Sequence, residues 1–306
     1  MNYDLISLNT VMNPDPKLGG LSFVESQRDI PFSIQRVYCI YKTEENQHRG
    51  FHAHKKNWQL LFCPYGAVEI ILSDGVDSET VTLDEPSKGL VLHPGLWREM
   101  IWKHDDSVLC VAASEYYDPD EYIRDYDEFL KYKNVTTDEI KWGGVNRLDY
   151  LDNYLQGSRM LCFPGINEKA QKSFEVKGVR DVPFEIRRIF YIFGKGNVGL
   201  VRGKHANRNS EFVLFNVSGK SKVKTIDENR KEVIYELNQP REAVYLPRMT
   251  WKEMYDFTED SVLMVLTNEY YDPEEYIRSF NDYVKEIKSV MENENGYRNC
   301  CIEENV

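Results

Sequence analysis

The chain has no apolar run long enough to cross a membrane, no paired cysteine spacing, and no excess of basic residues. A spanning helix needs roughly 18 or more consecutive apolar residues. Nothing in these 306 residues approaches that, so no membrane partner is expected. The start Met1-Asn2-Tyr3-Asp4-Leu5 lacks the basic and apolar regions of a secretory signal, and a cytoplasmic location is expected. The six cysteines include three in apolar runs, Cys39, Cys63 and Cys110, which suits buried thiols better than a disulfide framework. Cys300-Cys301 sits in a polar tail without ligand-spaced His or Cys around it, a weak metal signal. The net charge of −12 argues against nucleic acid as a partner, because phosphate-backbone binding wants a basic face. An anionic small molecule stays open, since a few local Arg or Lys residues suffice for it.

What is present is a long internal repeat. Arg49-Gly50-Phe51-His52-Ala53-His54-Lys55 returns at Arg202-Gly203-Lys204-His205-Ala206-Asn207-Arg208, and Asp29-Ile30-Pro31-Phe32 returns at Asp181-Val182-Pro183-Phe184. Glu115-Tyr116-Tyr117-Asp118-Pro119 comes back as Glu269-Tyr270-Tyr271-Asp272-Pro273. Solenoid repeats run roughly 20–50 residues. Positions 49 and 202 differ by 153, so this is a duplicated domain in which each copy can bury its own core. The expected division is 1–140, 156–290 and a polar tail 291–306, with the copies packing as an intramolecular pseudo-dimer and a further homo-oligomer open.

Within the first copy, β-branched and apolar runs recur at 34–41, 58–62, 67–72, 79–83, 89–92 and 108–112, the signature of an all-β sandwich or barrel. Ser73-Asp74-Gly75 reads as a hairpin, with Asp227-Glu228-Asn229 and one extra residue in the second copy. After the last strand, Asp118-Pro119-Asp120-Glu121 followed by Tyr122, Ile123, Tyr126 and Phe129 predicts an acid-capped helix, with a twin from Asp272.

His52 and His54 project to one side of a strand, and two imidazoles there, flanked by Arg49 and Lys55 and preceded by Tyr38, point to proton transfer near neutral pH. Gly50-Phe51-His52-Ala53-His54, Gln59 and Gly66 resemble the first signature of the cupins, a double-stranded β-helix or jelly roll. Metal-binding cupins carry Glu where Gln59 stands, and a further imidazole is lacking near Trp97-Arg98-Glu99, so neither metal nor cofactor is expected. With the Arg-Val-Tyr run, Trp97-Arg98-Glu99-Met100 and Tyr-Tyr-Asp, the resemblance narrows to dTDP-4-keto-6-deoxyglucose 3,4-ketoisomerases, over nearly all of the first copy and most of the second. The resemblance implies two tandem cupin domains, each ending in a short helix. It also implies transfer of the ketone of a dTDP-sugar from C4 to C3 through an enediolate, on the way to 3-amino-3,6-dideoxyhexoses.

By match to the motif, His52 would be the base, with Tyr38 and His54 relaying or donating protons. Arg36, Arg49 and Lys55 are candidates for the diphosphate, with Lys17 as a stand-in where relatives carry Arg. Trp97 could wall the site or pack the core, and Glu99 could orient an imidazole. The second copy keeps His205 and Arg202, along with Trp251 and Glu253, but has Phe190 for Tyr38 and Asn207 for His54. Asn cannot titrate near pH 7. That copy is therefore structural, a binder without turnover, or a catalyst using His205 alone. A 3,5-epimerase acting on the same substrate class and a non-catalytic sugar-nucleotide-binding cupin are the competing functions.

Overall fold

The computed structural model describes residues 1–14, 19–135, 157–163 and 173–290. Lys17, the Cys300-Cys301 pair, the tail and most of the segment joining the copies lie outside them. The regular structure of the described residues is predominantly antiparallel β, with no helix long and apolar enough to cross a membrane.

The first copy supplies β1 (Tyr3–Ser7), β2 (Asn9–Met12), β3 (Gly20–Glu25), β4 (Arg36–Ile40), β5 (His48–His54), β6 (Gln59–Tyr65), β7 (Val68–Ser73), β8 (Ser78–Leu83), β9 (Lys88–Leu92), β10 (Trp97–Trp102), β11 (Val108–Ala113) and β12 (Tyr122–Ile123). It ends in α1 (Tyr126–Val135). The second supplies β13 (Arg159–Cys162), β14 (Ser173–Lys177), β15 (Arg188–Phe193), β16 (Arg202–Asn207), β17 (Phe212–Ser218), β18 (Ser221–Ile226), β19 (Glu232–Leu237), β20 (Glu242–Leu246), β21 (Trp251–Tyr255), β22 (Val262–Thr267) and β23 (Tyr276–Ile277). A helix over 280–290, α2, closes it. All six apolar runs of the first copy are strands. Each copy is a two-sheet jelly roll, so the fold is all-β with two tandem cupin domains, each ending in a short helix.

Side-chain alternation fixes the faces. β7 and β18 each alternate buried and half-buried residues, as a strand with one face on a core must. β11, Val-Leu-Cys-Val-Ala-Ala, is buried throughout because it lies inside its sheet between β6 and β4. The Asp74 hairpin forms as read: Asp74 Oδ1 accepts from the Val76 and Asp77 amides, and Gly75 takes φ +95°. Cys39, Cys63 and Cys110 are free and buried.

The repeat units and the sheets do not coincide. β3, from the first copy, pairs with β15 of the second, Phe23 opposite Phe190. In return β14 of the second pairs with β4 of the first, Glu175 opposite Tyr38. The exchange welds the copies: one apolar cluster contains Val37, Phe62 and Cys110 from one copy and Phe174, Tyr191 and Phe215 from the other. Phe62 stacks on Tyr191 at 5.3 Å. Phe174 is fully buried, worth roughly 1.5–3 kcal/mol relative to exposure. A cleft of about 340 Å³ runs along the junction, bordered by Gln27, Ile34, Val179, Ile186 and Tyr270. It is separate from the histidines.

One element differs from the sequence reading, in both copies: the Asp272 twin is likewise a 3-10 turn, Pro273–Glu275, then the strand Tyr276–Ile277, with the helix only from 280. Asp118 caps only a single 3-10 turn, Pro119–Glu121; Tyr122–Ile123 is then extended, and α1 starts at Tyr126. The reason is tertiary: Tyr122 and Ile123 pair with the edge of β5, opposite His54 and Ala53. Asp125 Oδ1, accepting from the Glu128 amide, begins the helix instead.

Candidate active site

The site is built on a β-bulge. Against β10, His52 faces Arg98 and Gly50 faces Glu99, so Phe51 is the extra residue. Gly50 has φ +96°, and a Cβ there would meet the Arg98 carbonyl at 2.8 Å. The Gly of the Arg-Gly-Phe-His run is thus required by the backbone. Gly203 repeats the geometry at φ +86° against the Lys252 carbonyl. The bulge re-aims the strand so that His52 and His54 face the interior together, rings 5.0 Å apart.

His52 Nδ1 lies 3.0 Å from the Gly50 carbonyl oxygen. A carbonyl can only accept, so Nδ1 carries the proton and Nε2 keeps its lone pair. Burial first, then the charge of Arg98, lowers the His52 pKa to about 3. His54 is deeper, 1% exposed, and its pKa is held well below the usual imidazole range by burial and by Arg98. Its Nδ1 is 3.3 Å from Glu121 Oε2 and its Nε2 is 3.2 Å from Gln59 Nε2. The same Gln59 nitrogen donates to the Tyr38 hydroxyl at 3.2 Å. Gln59 thus spends one N–H on each partner, which makes His54 Nε2 an acceptor and leaves its Nδ1 proton facing Glu121. The hydrogen bonds join Tyr38, Gln59 and His54; Glu121 stands beside the His54 Nδ1, which has no hydrogen-bond partner of its own. Burial raises the Tyr38 pKa to about 12, so Tyr38 holds its proton. Tyr122 closes the cluster, its ring 5.0 Å from His52 and 4.3 Å from His54.

Arg98 is the residue that sequence reading passed over. It is 1% exposed, and Nε and both Nη atoms lack any hydrogen-bond partner. An unpaired buried guanidinium is costly, and its donors await an anionic or carbonyl oxygen. Burial lowers its pKa to about 10, which leaves it cationic at neutral pH. The signal was present as period two: Arg98, Met100 and Trp102 share the inner face of β10, between the repeated and more conspicuous Trp97 and Glu99. Glu121 and Tyr122 were missed because their segment reads as helix.

The other candidates separate into groups. Arg36 is buried beside the Tyr38 ring at 5.3 Å, but its Nη1 is engaged by Glu175 of the exchanged strand at 3.3 Å. Arg49 lies toward the other end of β5, 5.5 Å from the Trp102 ring, with Nε and Nη1 unpaired. Lys55 turns away and donates to the Asp120 carbonyl at 2.7 Å. Trp97 is a core residue, packed with Ala53, Ile123 and Phe129 under α1. Glu99 accepts from Trp97 Nε1 at 3.4 Å; the carboxylate beside an imidazole is Glu121. Trp251 likewise packs with Ala206, Ile277 and Tyr283, and Glu253 pairs with Lys224 at 3.0 Å. A divalent metal fits this donor set poorly: the amide of Gln59 and the cation of Arg98 stand beside the two imidazoles.

In the second copy His205 faces Lys252 across the equivalent bulge. Tyr38, His54 and Gln59 give way to Phe190, Asn207 and Phe212. Lys252, 4% exposed, donates to Asn207 Oδ1 at 2.6 Å, and Asn207 Nδ2 donates to Glu275 Oε1 at 3.0 Å. Arg202 is engaged by Asn197 Oδ1 at 2.6 Å.

Fold and pocket together define a tandem cupin with one pocket of His, Tyr and Arg side chains and one diverged copy of it. The chain belongs to the family described as FdtA: WxcM-like, C-terminal, whose model matches residues 1–134 and again 156–288. It is similar to the TDP-4-oxo-6-deoxy-alpha-D-glucose-3,4-oxoisomerase of Aneurinibacillus thermoaerophilus, 48% identical over 114 residues, which are 37% of this chain and 82% of that protein. Among solved structures it is similar to a 3,4-ketoisomerase from Helicobacter canadensis at 39% identity and TM-score 0.42, covering 44% of this chain and 98% of that one. It is also similar to the sugar 3,4-ketoisomerase QdtA of Thermoanaerobacterium thermosaccharolyticum, crystallised with TDP, at 41% identity and TM-score 0.41, covering 44% and 95%.

Proposed function

We propose that the first copy is a sugar-nucleotide 3,4-ketoisomerase acting on dTDP-4-keto-6-deoxyglucose. The observation that carries this is the pairing of His52 with Arg98: a neutral imidazole with a free Nε2 beside a buried, unpaired cation. The named activity of the 48% identical relative supports the substrate class.

In this reading His52 Nε2 removes the proton from C3. The C–H electrons become the C3–C4 double bond, and the C4 carbonyl oxygen takes up the negative charge beside Arg98. Donors preorganised in a dry site are worth far more than in water. Transfer of charge to the sugar also relieves the electrostatic pressure that keeps His52 unprotonated, so the base strengthens as the enediolate forms. A proton then reaches C4 while the C3 hydroxyl gives up its own, leaving the ketone at C3 and a hydroxyl at C4. Tyr38, protonated at rest, is the donor for C4 and recovers its proton from the C3 hydroxyl, while Gln59 holds Tyr38 and His54 in place by donating an N–H to each. Arg49, with Arg124 whose guanidinium lies 4.4 Å over the Tyr122 ring, is the basic character left for the diphosphate.

The same reading takes 1–140 and 156–290 as the two domains, acting as the intramolecular counterpart of a strand-exchanged dimer, and places the enzyme in the cytoplasm. The test is an NMR time course with dTDP-4-keto-6-deoxyglucose in deuterated water. Movement of the carbonyl signal to C3 with deuterium at C4 is expected. Deuterium at C3 and C5 with the ketone still at C4 would assign a 3,5-epimerase instead, and tight binding without any product a non-catalytic binder.

A further inference from the structure

The second pocket has lost the first pocket's relay, yet it contains a buried cation and a buried amine that the fold alone does not use. Arg188 is 3% exposed, with Nε and Nη2 unpartnered, over the rings of Phe190 at 5.5 Å and Tyr271 at 5.6 Å. Its counterpart Arg36 is answered by Glu175; the exchanged strand here offers Phe23 at the matching position, and Glu25, opposite Arg188 in the ladder, is engaged by Arg28 and the Tyr271 amide, so Arg188 makes no ion pair among the described residues. Lys252 stands where the first copy has Arg98, 4.2 Å from the Phe212 ring. Its one described hydrogen bond goes to Asn207, so the ammonium has donors to spare.

We propose that the second copy holds a second sugar-nucleotide site, in which Arg188 receives an anionic oxygen and Lys252, rather than His205, exchanges the proton next to the substrate's carbonyl. The ligand class rests on the ketoisomerase reading of the first copy. Lys252 is the stronger base of the pair: burial brings its pKa to about 7, opposed by Glu275, whereas burial and the Lys252 charge bring His205 to about 3. Arg278 adds to the positive field on His205, and the Tyr276 ring lies 4.9 Å from that imidazole. An amine near pH 7 takes a proton and returns it, whereas the guanidinium at the same position of the first copy can only stabilise charge. The step breaks the C–H bond next to the carbonyl, forms N–H on Lys252, and moves the electron pair onto the carbonyl oxygen. Without counterparts of Tyr38 and His54, the proton returns to the same carbon and the ketone stays in place.

Calorimetry with TDP and NMR in deuterated water test this on the full chain. Wild type is expected to bind two TDP, and Arg188→Met one. With the first pocket disabled by His52→Asn, deuterium is expected to enter the carbon beside the ketone without ketone migration. Adding Lys252→Arg, a side chain the first copy accommodates at this position, is expected to slow that exchange about 100-fold while TDP still binds. One TDP per wild-type chain, no exchange in His52→Asn, or equal exchange after Lys252→Arg would each overturn the inference. Should wild type isomerise the substrate while any of these holds, the ketoisomerase reading stands alone; a chain that neither binds nor isomerises removes both.

Discussion

Arg36 and Glu175 are paired at 3.3 Å inside one sheet, although they come from different copies and lie 139 positions apart. Glu175 stands opposite Tyr38 in the same ladder. The second copy therefore furnishes both a strand and a counter-charge to the wall of the first pocket.

Replacing that carboxylate should be felt in the other copy's chemistry. Glu175→Gln leaves Arg36 buried without its ion pair and is expected to cost about 3 kcal/mol, while Arg36→Met combined with it recovers part of the loss. Denaturant melts on the four proteins of the cycle measure the coupling, and additive effects would contradict it. Isomerase turnover should fall in Glu175→Gln even though every reacting residue of the first copy is intact.

His52→Asn removes the base and is expected to lower ketone migration by about 10³-fold, within the range of general acid–base contributions. His205→Asn should retain more than half of the wild-type rate. Equal losses in steady-state assays would contradict a single isomerising pocket.

Glu121 and Glu99 offer a contrast. Glu121→Gln replaces the carboxylate 3.3 Å from His54 Nδ1 with a neutral amide able to present N–H, and kcat is expected to drop about 100-fold with KM little changed. Glu99→Gln should leave kcat within about twofold. The reverse ranking would return the orienting role to Glu99.

His52 and His205 have folded-state pKa values lowered to about 3, against about 6.5 unfolded. Above pH 6.5 neither state holds the proton and there is no penalty. As pH falls below that, the unfolded chain binds protons first and stability declines toward pH 3. The Tm of wild type should thus drop more steeply between pH 6.5 and 4 than that of the His52→Asn/His205→Asn double variant. For turnover, no acid limb near pH 6.5 is expected in kcat/KM.

Trp97 tests packing against function. Trp97→Ala should destabilise by about 3–5 kcal/mol, because it opens a cavity beneath α1. At a temperature where the variant is fully folded by circular dichroism, its kcat should stay close to wild type. A selective loss of activity would restore Trp97 to the pocket.

The fold was legible in the sequence because alternation and turn chemistry are local. The six apolar runs became strands, and Asp74-Gly75 made the turn its φ requires. The His-Ala-His pair and Tyr38 were legible for the same reason, since period two along β4 and β5 sets their direction. What escaped depends on contacts distant in sequence. Tyr122 reads as helical until β5 is there to pair with, and Glu121 gains its role only through that detour. Arg98 was hidden by its more conspicuous neighbours, and the exchange of β3 and β14 has no local signature at all.

The exchanged strands have a consequence for engineering and for descent. A graft of residues 1–140 into another protein would carry the histidines of one pocket but the wall of the other, leaving its own Arg36 without Glu175. The two pockets can drift apart in chemistry, as Arg98 and Lys252 have, but not in ancestry.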